Sequence, residues 1–316
     1  MENEALESKS GGTQAPEPPK EKKKTPSKTI GVIALLLLVL LPLIIVSISN
    51  ASKVYLYVNG FAEGIGGTLH FVKGHRYLVN SEGEYTVPSS FNGRPVTVID
   101  AYAFENNKKL RHLTVEEGIT SISEYAFAGC HALETVSLPS TLTDIYSGVF
   151  WDCISLEEIT LPRELERLCS YAFAGCESLT RVTLPKEYTT NFDGTAFLNC
   201  QSIVEFVCPS GSPFTFDREL GLLLAGDSIL LFQNINNLEE LILPEGVSYI
   251  IQANAFLNHP ELRKIYIPKG VFLRKDAFLA CPSLTVYCEA SEWSSWFDAG
   301  WNPENIPVVY DSPLGA

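Results

Sequence analysis

Residues 122–139 read ISEYAFAGCHALETVSLP, and this stretch recurs with small changes along two thirds of the 316-residue chain. The phenylalanines on which the copies align are Phe104, Phe127, Phe150, Phe173, Phe197, Phe232, Phe256 and Phe278. They are separated by 23, 23, 23, 24, 35, 24 and 22 residues. A recurrence at this period is typical of a solenoid, in which each repeat contacts only its neighbours.

Each copy carries a helix-like pattern followed by a strand-like one. Ile122, Ala126 and Phe127 are spaced to lie on one face of a short helix. Val136 and Leu138 then alternate with a polar residue, as in a strand with one buried face. The residues two places after each phenylalanine tolerate left-handed backbone, and we expect them to end the helix. They are Asn106, Gly129, Asp152, Gly175, Asn199, Asn234, Asn258 and, as the exception, Ala280.

The pattern LxxIxLPxxLxxIxxxAFxxCxxL, present from residue 133 onward, resembles the BspA-type leucine-rich repeat. Residues 85–104 resemble the opening half-repeat of that family, and the resemblance spans about residues 85–290. It implies a curved solenoid of parallel strands, typical of bacterial surface proteins, some of which are adhesins. We therefore predict an α/β repeat solenoid of leucine-rich repeats of about 23 residues, each with one short parallel strand and one short helix.

The N-terminal residues predict a tail and a membrane anchor. Residues 1–29 are rich in Glu, Lys, Pro and Ser and are expected to form a disordered cytoplasmic tail. Residues 30–48 contain no charge and predict a single transmembrane helix over residues 30–49. Lysines precede this segment, which predicts a cytoplasmic N-terminus and an extracellular C-terminal domain. The alternative is a signal peptide cleaved near Ala51, with secretion of the remainder.

The remaining chain divides by its patterns into three parts. Residues 50–86 alternate in short apolar bursts and predict a β-rich N-terminal cap. Residues 87–288 form the repeat solenoid, with a hairpin insert near 210–232 read as two strands around residues 225–228. Residues 289–316 break the period and predict a C-terminal cap, in which four aromatic residues are spaced for one helical face. These are Trp293, Trp296, Phe297 and Trp301.

The cysteines follow the repeat. Three residues after the phenylalanines stand Asn107, Cys130, Cys153, Cys176, Cys200, His259 and Cys281. A metal ladder or a disulfide zipper is one interpretation of this column, and buried free thiols are the other. We favour free thiols because side chains in one column point the same way and not at each other. Cys281–Cys288 is the one pair for which a disulfide stays open. No catalytic motif, metal site or cofactor motif is present, so a non-enzymatic protein without a cofactor is predicted.

The exposed face of the strands is the candidate binding surface. Its N-terminal half carries a Thr/Ser ladder, whereas later repeats carry apolar residues at the same position. The candidate binding residues are Glu205, Val207, Glu240, Ile242, Lys264 and Tyr266. Either the hairpin insert or local packing covers Val207, Ile242 and Tyr266, or a partner binds this apolar stripe. Trp151 is expected to be a lone exposed aromatic residue on the opposite side of the array.

A formal net charge of −14 argues against a nucleic-acid partner, which requires a basic surface. The sequence therefore predicts a membrane-anchored extracellular binding module for a protein or glycoprotein ligand, acting in protein–protein interaction or adhesion at the bacterial cell surface. The alternative is a structural or scaffolding envelope protein that recruits other membrane or wall components.

Overall fold

The computed structural model describes residues 79–186, 192, 194–233, 236–245, 249–291, 298 and 301–313, and four short strands between residues 46 and 71. The chain divides into two compact units, Met1–Ile44 and Ile45–Ala316, and all described residues belong to the second. The predictions for the tail (residues 1–29), for cleavage near Ala51 and for Trp293, Trp296 and Phe297 concern residues outside the described ones.

A first column of short strands runs through the repeats, because each copy supplies the alternating segment after its phenylalanine. In chain order its members are β5 (Glu84–Val87), β8 (His112–Val115), β10 (Thr135–Ser137), β12 (Glu158–Thr160), β14 (Arg181–Thr183), β15 (Glu205–Val207), β19 (Glu240–Ile242), β21 (Lys264–Ile267) and β23 (Thr285–Cys288). They pair in parallel as β5–β8–β10, β12–β14–β15 and β19–β21–β23. Equivalent residues of successive repeats face each other, so each column of the sequence becomes a line on the sheet.

A second column of strands occupies the place where the sequence predicted the start of a helix. Its members are β7 (Arg94–Ile99), β9 (Ser121–Ile122), β11 (Asp144–Ile145), β13 (Arg167–Leu168), β20 (Ile250–Ile251) and β22 (Phe272–Leu273). These strands also pair in parallel between successive repeats. The apolar residue five places before the phenylalanine, such as Ile122, therefore ends a strand in six of the repeats, and its side chain is fully buried there.

The prediction of one short helix in each repeat is wrong. The described residues contain no α-helix, and the one helical element among them is a 3-10 helix at Gly194–Phe197. In the repeat quoted above, Tyr125 has φ 55°, which interrupts right-handed helical backbone. The N–H groups of Tyr125, Phe127 and Gly129 donate to carbonyls of the next repeat at 3.1, 2.9 and 2.7 Å. Because these donors are satisfied between repeats, the segment forms a ladder of turns instead of a helix.

The column of Asn, Gly and Asp does adopt the left-handed backbone that its residue types predict. Its described members have φ between 54° and 74°, and Ala280 shares this conformation at 56° despite its Cβ. Asn234 lies outside the described residues.

The core is a spine of stacked phenylalanines flanked by the buried columns. Ring centroids of Phe104, Phe127, Phe150, Phe173 and Phe197 follow one another at 5.1, 5.4, 5.2 and 5.5 Å. The stack resumes after the insert with Phe232, Phe256 and Phe278 at 5.0 and 5.1 Å. Each ring packs on its neighbours in the adjacent repeats, which is why the phenylalanine recurs in every copy.

The insert contains three strands, whereas the sequence predicted two. They are β16 (Phe214–Asp217), β17 (Leu222–Ala225) and β18 (Ser228–Phe232), which pair antiparallel in this order. The last of them, β18, also pairs in parallel with β20. Leu223 and Leu230 belong to one core cluster, and Leu222 and Ile229 belong to the other. Both faces of β17 and β18 are therefore buried, which accounts for their continuous apolar runs.

Short strands border the array at both ends. The N-terminal ones are β1 (Val46–Ile48), β2 (Val54–Leu56), β3 (Phe61–Glu63), β4 (Leu69–Phe71) and β6 (Ser90–Phe91). β4 pairs in parallel with β7 and extends the second column toward the N-terminus. At the other end, β24 (Val308–Val309) pairs in parallel with β23, and the Trp301 ring meets Phe278 edge-on at 6.4 Å.

The predicted transmembrane helix over residues 30–49, and the single-pass membrane localisation derived from it, are corrected by the structure. Val46–Ile48, at the end of that segment, is a strand paired antiparallel to Val54–Leu56. β-Branched residues suit this extended conformation better than a helix. Residues 30–45 are outside the described part of the chain, and no helix within that part has the length and apolarity to cross a bilayer.

Candidate functional site

The six predicted binding residues lie on the first strand column but on two separate sheets. Glu205 and Val207 stand on β15, at one edge of the sheet β12–β14–β15. The other four stand on β19 and β21, where Glu240 faces Lys264 and Ile242 faces Tyr266. The sheet is thus divided at the insert, and the structure joins four of the six residues into one surface.

The Glu205 carboxylate is paired with arginines of the protein itself. Its carboxylate forms ion pairs with Arg181 of the neighbouring strand, at 3.3 Å, and with Arg218 of the insert. Val207 on the same strand is half-buried. Glu205 and Val207 therefore lie at the junction between the array and its insert and do not form an open binding surface.

The surface on β19 and β21 is open. Ile242 is 50% exposed, so neither the insert nor local packing covers it, whereas Val207 and Tyr266 are half-buried. The Tyr266 ring stacks on Tyr287 of β23 with centroids 4.8 Å apart and planes 19° apart. We call Ile242, Tyr266 and Tyr287 the apolar patch. Such a patch on a sheet face, supported by rigid strands, is suited to desolvation by a partner.

A charged pair borders the apolar patch. Lys264 Nζ lies 2.6 Å from the Glu240 carboxylate, and this hydrogen bond together with the negative charge raises the pKa of Lys264. Both side chains are substantially exposed, so the pair contributes little to stability but places opposite charges at a fixed edge. A polar rim around apolar residues is the usual layout of a protein interface.

Tyr287 was missed in the sequence because the segment between Phe278 and the following strand is one residue shorter than the equivalent segment of the preceding repeat. Tyr266 follows its phenylalanine by ten residues, whereas Tyr287 follows Phe278 by nine. Strand register restores the equivalence, since Tyr266 and Tyr287 face each other across β21 and β23.

The N-terminal half of the face is polar. Ser137 faces Thr114, and Thr160 faces Thr183, across parallel strands. A groove of about 850 Å³ runs beside Ser137, Thr160 and Thr183 and is bordered by the prolines that follow the strands. Apolar residues, among them Leu138 and Leu184, also line the groove, so this half of the face combines a ladder of hydroxyl groups with an apolar groove.

The cysteine column has a structural cause. All eight cysteines are free, and the thiols in the column approach the main-chain carbonyl of a phenylalanine in the preceding repeat at 2.9–3.4 Å. Burial raises the pKa of the Cys130 thiol to about 12 and that of Cys281 to about 11. Neutral, buried thiols are poor nucleophiles and poor metal ligands. Within the described ranges, no group of three His, Cys, Asp or Glu residues is arranged to hold a metal ion.

Trp151 is not the lone exposed aromatic residue that the sequence suggested. Tyr102 stacks on Tyr125 at 5.5 Å, Tyr125 meets Trp151 at 5.9 Å, and Trp151 meets Tyr171 at 5.6 Å. Tyr102, Trp151 and Tyr171 are each 36–40% exposed. We call these four residues the aromatic row. It crosses four successive repeats on the turn segments, away from the first strand column.

Three members of the aromatic row have left-handed backbone. Tyr102, Tyr125 and Tyr171 have φ of 60°, 55° and 62°. A bulky residue in this region costs about 1–3 kcal/mol. Stacking stabilises the folded state by about 0.5–1.5 kcal/mol per ring pair, which is no more than the backbone conformation costs. Stability alone therefore does not favour tyrosine at these positions. The equivalent residues of other repeats are Gly148, Asn254 and Asp276, which tolerate positive φ better.

The comparisons with known proteins agree with this architecture. The chain matches the family model described as "BspA type Leucine rich repeat region" in six copies, over residues 97–216 and 228–285, which is more than half of its length. Among curated proteins, no match is found.

Two solved structures are similar to this chain to different degrees. A leucine-rich repeat protein from Eubacterium ventriosum is 17% identical, with 81% of this chain and 77% of that one covered at a TM-score of 0.57. A Treponema pallidum leucine-rich repeat protein is 19% identical, with 83% and 91% covered at a TM-score of 0.45. At this identity, the first of them shows a shared fold alone.

Proposed function

Because the chain belongs to the BspA-type leucine-rich repeat proteins, we propose that it is a module that binds a protein or glycoprotein on its exposed strand face, in adhesion at the bacterial cell surface. Leucine-rich repeat proteins generally act by protein–protein interaction or surface binding and are typically not enzymes. The observation that carries the choice of surface is the exposure of Ile242 beside the stacked Tyr266 and Tyr287.

Three features of the apolar patch support a binding role. Its residues lie on adjacent parallel strands, so their positions are fixed before a partner arrives and little conformational entropy is lost on binding. Aromatic side chains are enriched at the energetic centre of interfaces, and Tyr266 and Tyr287 supply two. The Lys264–Glu240 pair at its edge offers one charge of each sign for orienting the partner.

The test compares the wild type with the double variant Ile242→Ser and Tyr266→Ser. Purified proteins are passed over immobilised mucin and extracellular-matrix proteins, and the Kd is measured for each surface that the wild type binds. Loss of two interface-centre residues predicts at least about tenfold weaker binding. Thr160→Ala, on the polar half of the face, is the matched control and is expected to bind as the wild type does.

Unchanged affinity of the double variant would assign binding to another surface. If the wild type binds none of these surfaces, while cross-linking in intact cells captures an envelope component that the double variant loses, the scaffolding function is supported and adhesion is rejected.

A further inference from the structure

The aromatic row differs from the rest of the turn segments in a way that stability does not explain. Where the fold uses Asn254 or Asp276 at the left-handed position, three earlier repeats carry tyrosine. The one repeat of the row with glycine at that position, Gly148, carries Trp151 three residues later. Trp151 contacts the rings on both sides, so the row is continuous although the position of its aromatic residue changes.

Two glycines make room for side chains of this surface. A Cβ at Gly148 would overlap the Tyr125 ring, and a Cβ at Gly175 would overlap the carboxylate oxygen of Asp152. Both glycines have positive φ, 64° and 74°. The backbone of one repeat is therefore shaped to accept the ring or the carboxylate of the repeat before it.

The charge beside the row has one sign. Glu124 directly precedes Tyr125, Asp152 directly follows Trp151, and both are exposed. No ion pair to either carboxylate occurs among the described residues, whereas Glu134 and Asp144, away from the row, are paired with arginines. Between Arg111 and Arg163 the sequence contains no Lys or Arg. Aromatic rings and carboxylates without a counter-charge are the groups that bind guanidinium and ammonium ions.

We propose that the aromatic row, with Glu124 and Asp152, is a second binding surface, which takes a Lys- or Arg-bearing extended peptide segment of a partner protein. The cationic side chains contact the rings and pair with the carboxylates, while the segment follows the row across four repeats. This site is independent of the proposed function, because it lies on the turn segments and not on the strand face.

The test uses a fluorescent oligo-arginine peptide as the probe. The variant Tyr102→Asn, Tyr125→Asn, Tyr171→Asn with Trp151→Leu removes the rings without changing the net charge. It is expected to keep the fold, since Asn254 occupies the same left-handed position, and a melting curve checks this. Loss of the cation–π contacts predicts an increase of Kd on the order of tenfold or more. Glu124→Gln with Asp152→Asn is expected to weaken binding as well and to reduce its dependence on salt.

Ile242→Ser is the matched control and is expected to bind the peptide as the wild type does. Equal affinity of the ring-free variant would overturn the proposal, since binding would then follow the general acidity of the protein. Binding of neutral N-acetylglucosamine oligomers at the row, with no affinity for oligo-arginine, would also overturn it and would identify a carbohydrate site. Loss of oligo-arginine binding with retained mucin binding separates this site from the apolar patch.

Discussion

The thiol of Cys153 lies 3.4 Å from the main-chain carbonyl oxygen of Phe127, which precedes it by 26 residues in the neighbouring repeat. The same contact recurs along the array, from Cys130 to Phe104, Cys176 to Phe150, Cys200 to Phe173 and Cys281 to Phe256. His259 replaces the cysteine once, with Nε2 2.9 Å from the Phe232 carbonyl. The column therefore places a hydrogen-bonding side chain at six of the phenylalanine carbonyls, a cysteine at five of them and a histidine at one.

Cys153→Ala is expected to reduce the free energy of unfolding by about 1–3 kcal/mol, because it leaves a small cavity and removes one of the two hydrogen-bond donors to the Phe127 carbonyl. The other donor, the N–H of Cys130 at 3.3 Å, remains. Cys153→Ser keeps a donor and is expected to lose less. Urea unfolding under reducing conditions measures both. Cys208→Ala, at a half-buried cysteine outside the column, is the control for a general effect of removing a thiol. Equal losses for Ala and Ser at position 153 would contradict a role for the hydrogen bond.

Stability is expected to fall at alkaline pH. Burial raises the pKa of Cys130 and of Cys288 to about 12, from an ordinary value of 9.0. The unfolded chain therefore releases these protons first, and the folded state is disfavoured as the pH rises from 9 toward 12. Below pH 8 the thiols are protonated in both states and contribute no pH dependence. Melting temperatures from pH 7 to 11, with reductant present, measure the effect, and a flat profile in this range would count against neutral buried thiols.

Phe150→Ala and Trp151→Ala form a matched pair of adjacent substitutions. Phe150 is fully buried between Phe127 and Phe173, and its truncation is expected to cost about 3–5 kcal/mol. Trp151 is 37% exposed, and its truncation is expected to cost about 1 kcal/mol or less, most of it from lost ring contacts. Denaturant unfolding compares them. A larger loss at Trp151 than at Phe150 would mean that the aromatic row, and not the spine, holds these repeats together.

The insert allows a comparison of two glycines in the turns at opposite ends of β17. Gly221 and Gly226 both have positive φ, 68° and 56°. A Cβ at Gly221 would collide with the main-chain carbonyl of Gln233, whereas Gly226 faces open space. Gly221→Ala is therefore expected to destabilise the protein by about 1–3 kcal/mol more than Gly226→Ala does. Similar melting temperatures for the two variants would show that the backbone around Gln233 adjusts without loss.

Repeat columns were predictable from sequence because each has a local chemical cause. The buried side chains of Ile122, Phe127 and Leu133 and the left-handed backbone of Gly129 follow from residue type and spacing alone. The candidate site was predictable only in part. Ile242 and Tyr266 face each other as their shared column implies, but Tyr287 required strand register, because the last repeat is shorter by one residue.

The helix prediction failed for a definable reason. Ala126 and Phe127 have helical spacing, yet the Phe127 N–H donates to Val149, a partner 22 residues further along the chain. A local sequence pattern indicates which side chains share a face. It does not indicate which carbonyl groups accept the hydrogen bonds of the backbone N–H groups. Strand and turn ladders between repeats supply those acceptors, so apolar spacing that resembles a helix is satisfied without one.

The sequence by itself determined the period, the repeat family and the identity of the buried columns, since these depend on side-chain chemistry that each copy repeats. Only the tertiary structure decided that turns replace helices, that the insert is buried on both faces, and that Tyr102, Tyr125, Trp151 and Tyr171 form one aromatic row. Each of these depends on contacts between residues about 23 positions apart, which exist only after neighbouring repeats have stacked.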